Sequence, residues 1–257
     1  MKNKITITLL LSLCAQLMLA WGSVGHRAIA EIAYDHLDKS TKKEIAKLLG
    51  NDYLPLYANW ADEVKSAQDS LKPLGKIPHY VNMKADETFD MVKGNGTTTV
   101  YTALEEQLAI LSDESKSTDE RGIALKLLIH FIGDMHQPMH CARPEDRGGN
   151  NIKVTWFGQS TNLHRVWDTN LIEFTTLSYT ELAVFASATA SKDEIATIAA
   201  ASPDQWINES KIIADDIYAN IGDGKYYYAY PYKYLDVVYS QIEKAGIRLA
   251  EVLNQTL

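Results

Sequence analysis

The sequence predicts an all-α fold, a single compact multi-helix domain over residues 21–257 with a small β-hairpin or extended flap near 151–158. Three observations predict it. Apolar residues recur at helical spacing along most of the chain. Only Asn151–Phe157, bounded by Gly148-Gly149 and Gly158, reads convincingly as a strand. Neither an internal repeat nor a low-complexity tract divides the sequence, and 257 residues, 46% of them hydrophobic, suffice to bury one core.

The first twenty residues stand apart from that domain. Lys2 and Lys4 precede the apolar run Ile5–Leu19, which ends at the small residue Ala20. Residues 1–20 therefore read as a secretory signal peptide, and the protein as exported to a periplasm or the extracellular space. The run is shorter than the ~20 residues of a membrane span, and no later segment qualifies. Beyond it, Ile29, Ile32, Ala33 and Leu37 mark a helix over 28–37, and a second over 41–49 stops at Gly50. Further helices are expected over 100–111, 120–135, 163–174, 182–190, 194–201, 205–218 and 235–254. The tyrosines 226, 227, 228, 230, 232, 234 and 239 read as aromatic packing of a loop against the last helix, in preference to a platform for stacking bases.

Loss of Lys2 and Lys4 with the leader deepens the formal charge from −8 to −10. An acidic balance argues against nucleic-acid binding, which draws on lysine and arginine contacts to phosphate, unless bound divalent metals reverse the field locally. Without the leader one cysteine remains, Cys141, so no internal disulfide can form.

Seven histidines occur, and their spacing from aspartates is informative. His130 and Asp134 lie four apart on a helix and share a face. Pro138 then breaks the helix, so His140 emerges in another direction. His164 and Asp168 repeat the four-residue spacing. Imidazole with carboxylate suits zinc. Asp62, beside Trp60, and His79 are further candidates. Cleavage after Ala20 would make Trp21 a chelator through its freed amino group and its own carbonyl, with His26 able to reach the same ion. His136 either steadies a ligand or plays no chemical part, and His36 reads as a bland surface residue.

These pieces resemble a known family, the zinc-dependent single-strand-specific nucleases of plants, fungi and bacteria, related in fold to zinc phospholipase C. The matching segments are Trp21-Gly22 with Gly25-His26, Trp60-Ala61-Asp62, His79-Tyr80, the run from His130 to His140, Gly148-Gly149-Asn150, and His164 to Asp168. Residues 206–210 and 241–250 look like family helices as well. The resemblance implies three Zn2+ ions. Asp62, His79, His130 and Asp134 would hold the first. The Trp21 amino group and carbonyl, His26 and the other oxygen of Asp134 would hold the second, and His140, His164 and Asp168 the third.

The implied activity is endonucleolytic hydrolysis of single-stranded RNA and DNA to 5′-phosphate products, with 3′-nucleotides as further substrates, by a monomer without a stable protein partner. Catalytic roles would fall to Asp62, Asp134, Lys65 and Asn150, the last orienting a ligand or water at the metals. Tyr80 and Asn82 would contact a base. The sequence departs from the family pattern where Lys65 replaces a frequent arginine, Tyr80 a phenylalanine and Asn82 an aspartate. Lysine keeps the charge and loses the bidentate fork, and tyrosine can still stack. Two rivals are a zinc phospholipase C and an exported zinc-binding protein without turnover.

Overall fold

The computed structural model describes residues 21–68 and 70–257, so the predicted signal peptide lies outside the described residues. Among these no helix is long and apolar enough to cross a membrane. Helix α1 (Gly22–His36) buries Ala28, Ile29, Ile32 and Ala33. α2 (Lys39–Leu49) ends where Gly50 takes a φ of 78°, which glycine adopts without steric cost. Single turns α3 (Trp60–Glu63) and α4 (Phe89–Val92) punctuate an irregular stretch, after which α5 (Val100–Ser112) and α6 (Thr118–Met135) pack against each other.

A 3-10 turn at Pro138–Cys141 leads toward the sheet. Strands β1 (Lys153–Trp156) and β2 (Gln159–Asn162) pair antiparallel with Trp156 opposite Gln159, and β3 (Lys225–Tyr226) joins β1 in parallel. Phe157 and Gly158 connect the hairpin at φ of 48° and 80°, a mirror-image turn whose twist matches its strands. Next, α7 (Leu163–Arg165), a π-helical turn Val166–Asn170 and α8 (Leu171–Phe174) run on without a break. α9 (Tyr179–Ser187), α10 (Lys192–Ala199), α11 (Pro203–Ala219) and the long α12 (Ala229–Thr256) follow.

Several helices begin before their predicted starts, α1 at 22 and not 28 and α2 at 39 and not 41, and one motif explains four others that start two or three residues early. Ser117, Ser178, Ser191 and Ser202 each accept a hydrogen bond from the backbone N–H three residues on. The Glu or Gln at that third position bonds back to the serine N–H. This reciprocal cap starts α6, α9, α10 and α11 ahead of their first periodic apolar residue.

The last helix likewise departs from expectation, starting at 229 and not 235. Tyr230, Tyr232 and Tyr234 therefore belong to α12 itself and not to a loop, together with Tyr239, which lies in the predicted helix. The Tyr226 and Tyr230 rings stack 3.8 Å apart, and Trp167 Nε1 donates to the Tyr230 hydroxyl at 3.0 Å. Pro231 falls in the first turn, where a missing N–H breaks no helical bond. Tyr227, Tyr228 and Tyr232 face solvent.

α1 lies against α12 along the core. At Gly246 a methyl group would meet Ile32 Cβ and Cγ2 at 2.6 Å, so this contact needs glycine. Gly246→Ala is expected to destabilise the fold by about 1–3 kcal/mol through overpacking. Thermal unfolding followed by circular dichroism should show a lowered midpoint with native helicity retained below it.

Candidate metal centre

α6 presents His130 and Asp134 from successive turns, with Nε2 and Oδ2 3.3 Å apart. Asp134 is wholly buried and meets imidazoles on every side. His79 Nδ1 lies 3.1 Å from Oδ2, while His26 Nε2 and His140 Nδ1 lie 3.3 and 3.7 Å from Oδ1. The two carboxylate oxygens thus face different histidines. From α3, Asp62 Oδ1 stands 3.6 Å from His130 Nε2 and accepts a hydrogen bond from Lys65 Nζ at 2.5 Å. Farther along, His164 Nε2 is 3.2 Å and His140 Nε2 3.8 Å from the Asp168 carboxylate. The donors fall into three groups that could each hold a metal ion: His26, His130 and Asp134; Asp62, His79 and His130; His140, His164 and Asp168.

Backbone carbonyls set how the rings present themselves. Nδ1 of His130 faces the Ala58 carbonyl at 2.9 Å, that of His140 the His79 carbonyl at 2.8 Å, and that of His164 the Gly148 carbonyl at 2.6 Å. Each Nδ1 therefore carries the hydrogen and each Nε2 offers its lone pair, the usual support for a metal-binding histidine. Two backbone bonds, Val81 N–H to the His140 carbonyl and Met83 N–H to the Ala142 carbonyl, align the segment bearing His79 with the turn bearing His140.

A metal fits what these atoms lack. His26 Nδ1 and Nε2, His79 Nε2, His130 Nε2 and Asp134 Oδ1 are buried without any hydrogen-bond partner. Each such group costs about 1–3 kcal/mol unless something satisfies it. Burial pushes His130 down to about 4, so its ring is neutral at physiological pH. Burial alone would lift Asp134, but His130 and His140 hold its carboxyl well below the usual carboxylate range. Imidazoles gathered around a buried carboxylate are a zinc donor set.

A cavity of about 240 Å3 opens on this centre, and the predicted residues Lys65, Tyr80, Asn82 and Asn150 all line it. Tyr80 is half exposed. Asn150 Nδ2 donates to the Arg147 carbonyl at 2.8 Å, while its Oδ1 is buried without a partner. Trp21 is wholly buried, its Nε1 donating to the Gly133 carbonyl at 2.9 Å, which sets position 21 beside the turn that carries Asp134. His136 joins none of the three groups: Nδ1 bonds the Ile132 carbonyl and Nε2 accepts from Arg248, so it braces the end of α6 against α12. His36 is exposed at the end of α1.

Two residues of the site went unread in the sequence. Gln137, wholly buried between His130 and His140, donates to Asp168 Oδ1 and accepts from Met139 N–H at 2.6 Å. Arg147, which also lines the cavity, precedes the glycine pair.

Three buried imidazole–carboxylate clusters in a helical fold, beside a cavity lined by Lys65 and Arg147, define a metal-dependent phosphodiester hydrolase. Residues 21–257 match the S1/P1 Nuclease family, and the chain belongs to it. It is 31% identical to Endonuclease 2 of Arabidopsis thaliana, over 97% of this chain and 94% of that protein. It is 37% identical to Nuclease S1 of Aspergillus oryzae over 62% of this chain and 57% of that one. With Nuclease P1 of Penicillium citrinum it shares 34% identity over 58% and 57%. The protein is accordingly a zinc-dependent, single-strand-specific endonuclease, and the phospholipase reading is not favoured.

Gly133 offers a test of the centre's packing. A methyl group there would meet His26 Nδ1 at 2.8 Å and Cε1 at 3.0 Å. Gly133→Ala should push the ring off Asp134, lowering zinc per chain in elemental analysis and lowering turnover, while far-UV circular dichroism stays native.

Proposed function

We propose that the mature enzyme holds three zinc ions and cuts single-stranded RNA and DNA to 5′-phosphate products, hydrolysing 3′-nucleotides at the same site. The observation that carries this reading is Asp134, whose two oxygens look toward different histidines and so can serve two ions at once. The first ion is assigned to Asp62, His79, His130 and Asp134. The second is assigned to His26, Asp134 and the amino group and carbonyl of Trp21 once cleavage after Ala20 frees them. His140, His164 and Asp168 take the third.

When bound, zinc neutralises phosphate charge and lowers the pKa of water. The protein's own side chains position the strand. Tyr80, half exposed at the cavity, offers a face on which a base stacks, and Asn82 offers amide donor and acceptor to its edge. Lys65, anchored on Asp62, brings positive charge to the scissile phosphate. The same cavity that receives a nucleotide within a strand can take a 3′-mononucleotide, which asks for no second nucleotide. Export, with residues 1–20 as leader, and a monomeric state complete the reading.

Purified mature protein is to be offered single-stranded RNA and DNA, a 3′-mononucleotide and phosphatidylcholine, each with and without chelator. Turnover of the first three substrates, lost with chelator, is expected; turnover of the lipid alone would overthrow the reading. Chelation should also lower the thermal midpoint, because the ligands tie distant segments together. Loss of an outer partner of a metal ligand costs about 10–100-fold, so Asp134→Asn, which touches a ligand of two ions, should cost more than about 100-fold in kcat/KM. Intact-mass analysis should show Trp21 at the amino terminus. A variant retaining extra residues before Trp21 should bind one zinc fewer.

A further inference from the structure

We propose that Arg147 grips a phosphate of the bound strand next to the one being cut, and so sets the preference for longer strands over dinucleotides. The proposal rests on the nuclease reading of the site. Lys65 and Arg147 both line the cavity, but they are not equivalent. Lys65 is committed to Asp62, the carboxylate that faces His130. Arg147 is exposed, and among the described residues its guanidinium has no carboxylate or carbonyl partner. In a chain of net charge −8, a cation left over at the mouth of an anion-binding cavity is conspicuous. Arg143, four residues earlier, shows the contrast, because its guanidinium lies 4.1 Å from the centre of the Tyr218 ring.

The backbone reinforces this assignment. Arg147 sits at a φ of 58°, a left-handed conformation that a side chain with a Cβ seldom takes. The loop enforces it. Arg147 N–H bonds the Pro144 carbonyl, and the Arg147 carbonyl accepts from the Asn150 amide. Asp146 Oδ1 takes hydrogen bonds from Gly149 N–H at 2.6 Å and from the Tyr218 hydroxyl at 2.7 Å, fastening the loop to α11. The next residue, Gly148, lends its carbonyl to His164. Strain held this firmly beside a reactive centre is the pattern of a residue aimed at a ligand. A fixed guanidinium fork suits phosphate oxygens.

The test compares a dinucleoside monophosphate, which has only the scissile phosphate, with a single strand about ten nucleotides long. Arg147→Gly removes the guanidinium and suits the left-handed backbone, so the fold should hold. Arg147→Lys keeps the charge. For Arg147→Gly, KM on the longer strand should rise about tenfold with kcat within about twofold, and the loss on the dinucleoside should be much smaller. The slope of log(kcat/KM) against log salt should shrink by about 0.7 for one lost phosphate contact, and Arg147→Lys should recover most of it. Equal losses on both substrates, or no loss on the longer strand, would overturn the proposal. If the wild-type protein cut neither substrate, the nuclease reading would fall with it.

Discussion

Everything near the centre answers to one constraint: the Asp134 carboxylate is ionised and wholly removed from water. A buried carboxylate is costly unless positive charge and hydrogen bonds surround it. Here the surroundings are imidazoles, and His130 among them is driven neutral by its own burial. The rings alone leave the cluster short of partners, since Asp134 Oδ1 and several ring nitrogens are buried without any. Cations resolve that shortage. The helices, the carbonyls that orient Nδ1 and the glycine that makes room for His26 follow from the need to hold those rings around one carboxylate.

An enzyme with an acidic surface that acts on a polyanion needs its attraction to be local. The clustered sites concentrate metal charge where the reaction occurs, and Lys65 and Arg147 line the same cavity. The remaining surface can stay acidic without repelling substrate strongly, since exposed charges beyond about 8–10 Å are largely screened at ordinary salt. Overall charge therefore said little about what this protein binds.

The sequence displayed the chemistry better than the boundaries. His130 with Asp134 and His164 with Asp168 were readable because four-residue spacing puts both groups on one helix face, and both pairs meet in space. Helix starts were misjudged because apolar periodicity marks the repeating middle of a helix, whereas Ser117, Ser178, Ser191 and Ser202 begin each helix by hydrogen bonding. The tyrosine stretch concealed the start of α12 because ring stacking and Trp167 decide it, and those partners are far away in the chain. Gln137 and Arg147 were overlooked for a related reason. Their significance lies in what faces them, Asp168 and an open cavity, and no spacing rule encodes that.

The widened turn at Val166–Asn170 carries its own lesson. Leu171 N–H reaches back five residues to the Val166 carbonyl, so the helix holds one more residue here than an ordinary turn would. Asp168 sits inside that loosened coil. Removing one residue would restore a regular α-helix and cost the backbone nothing, yet every side chain beyond the deletion would swing by about 100° around the axis. The irregularity works as a register device: it lets one continuous rod keep its apolar side toward the core while pointing a carboxylate at the cluster next door.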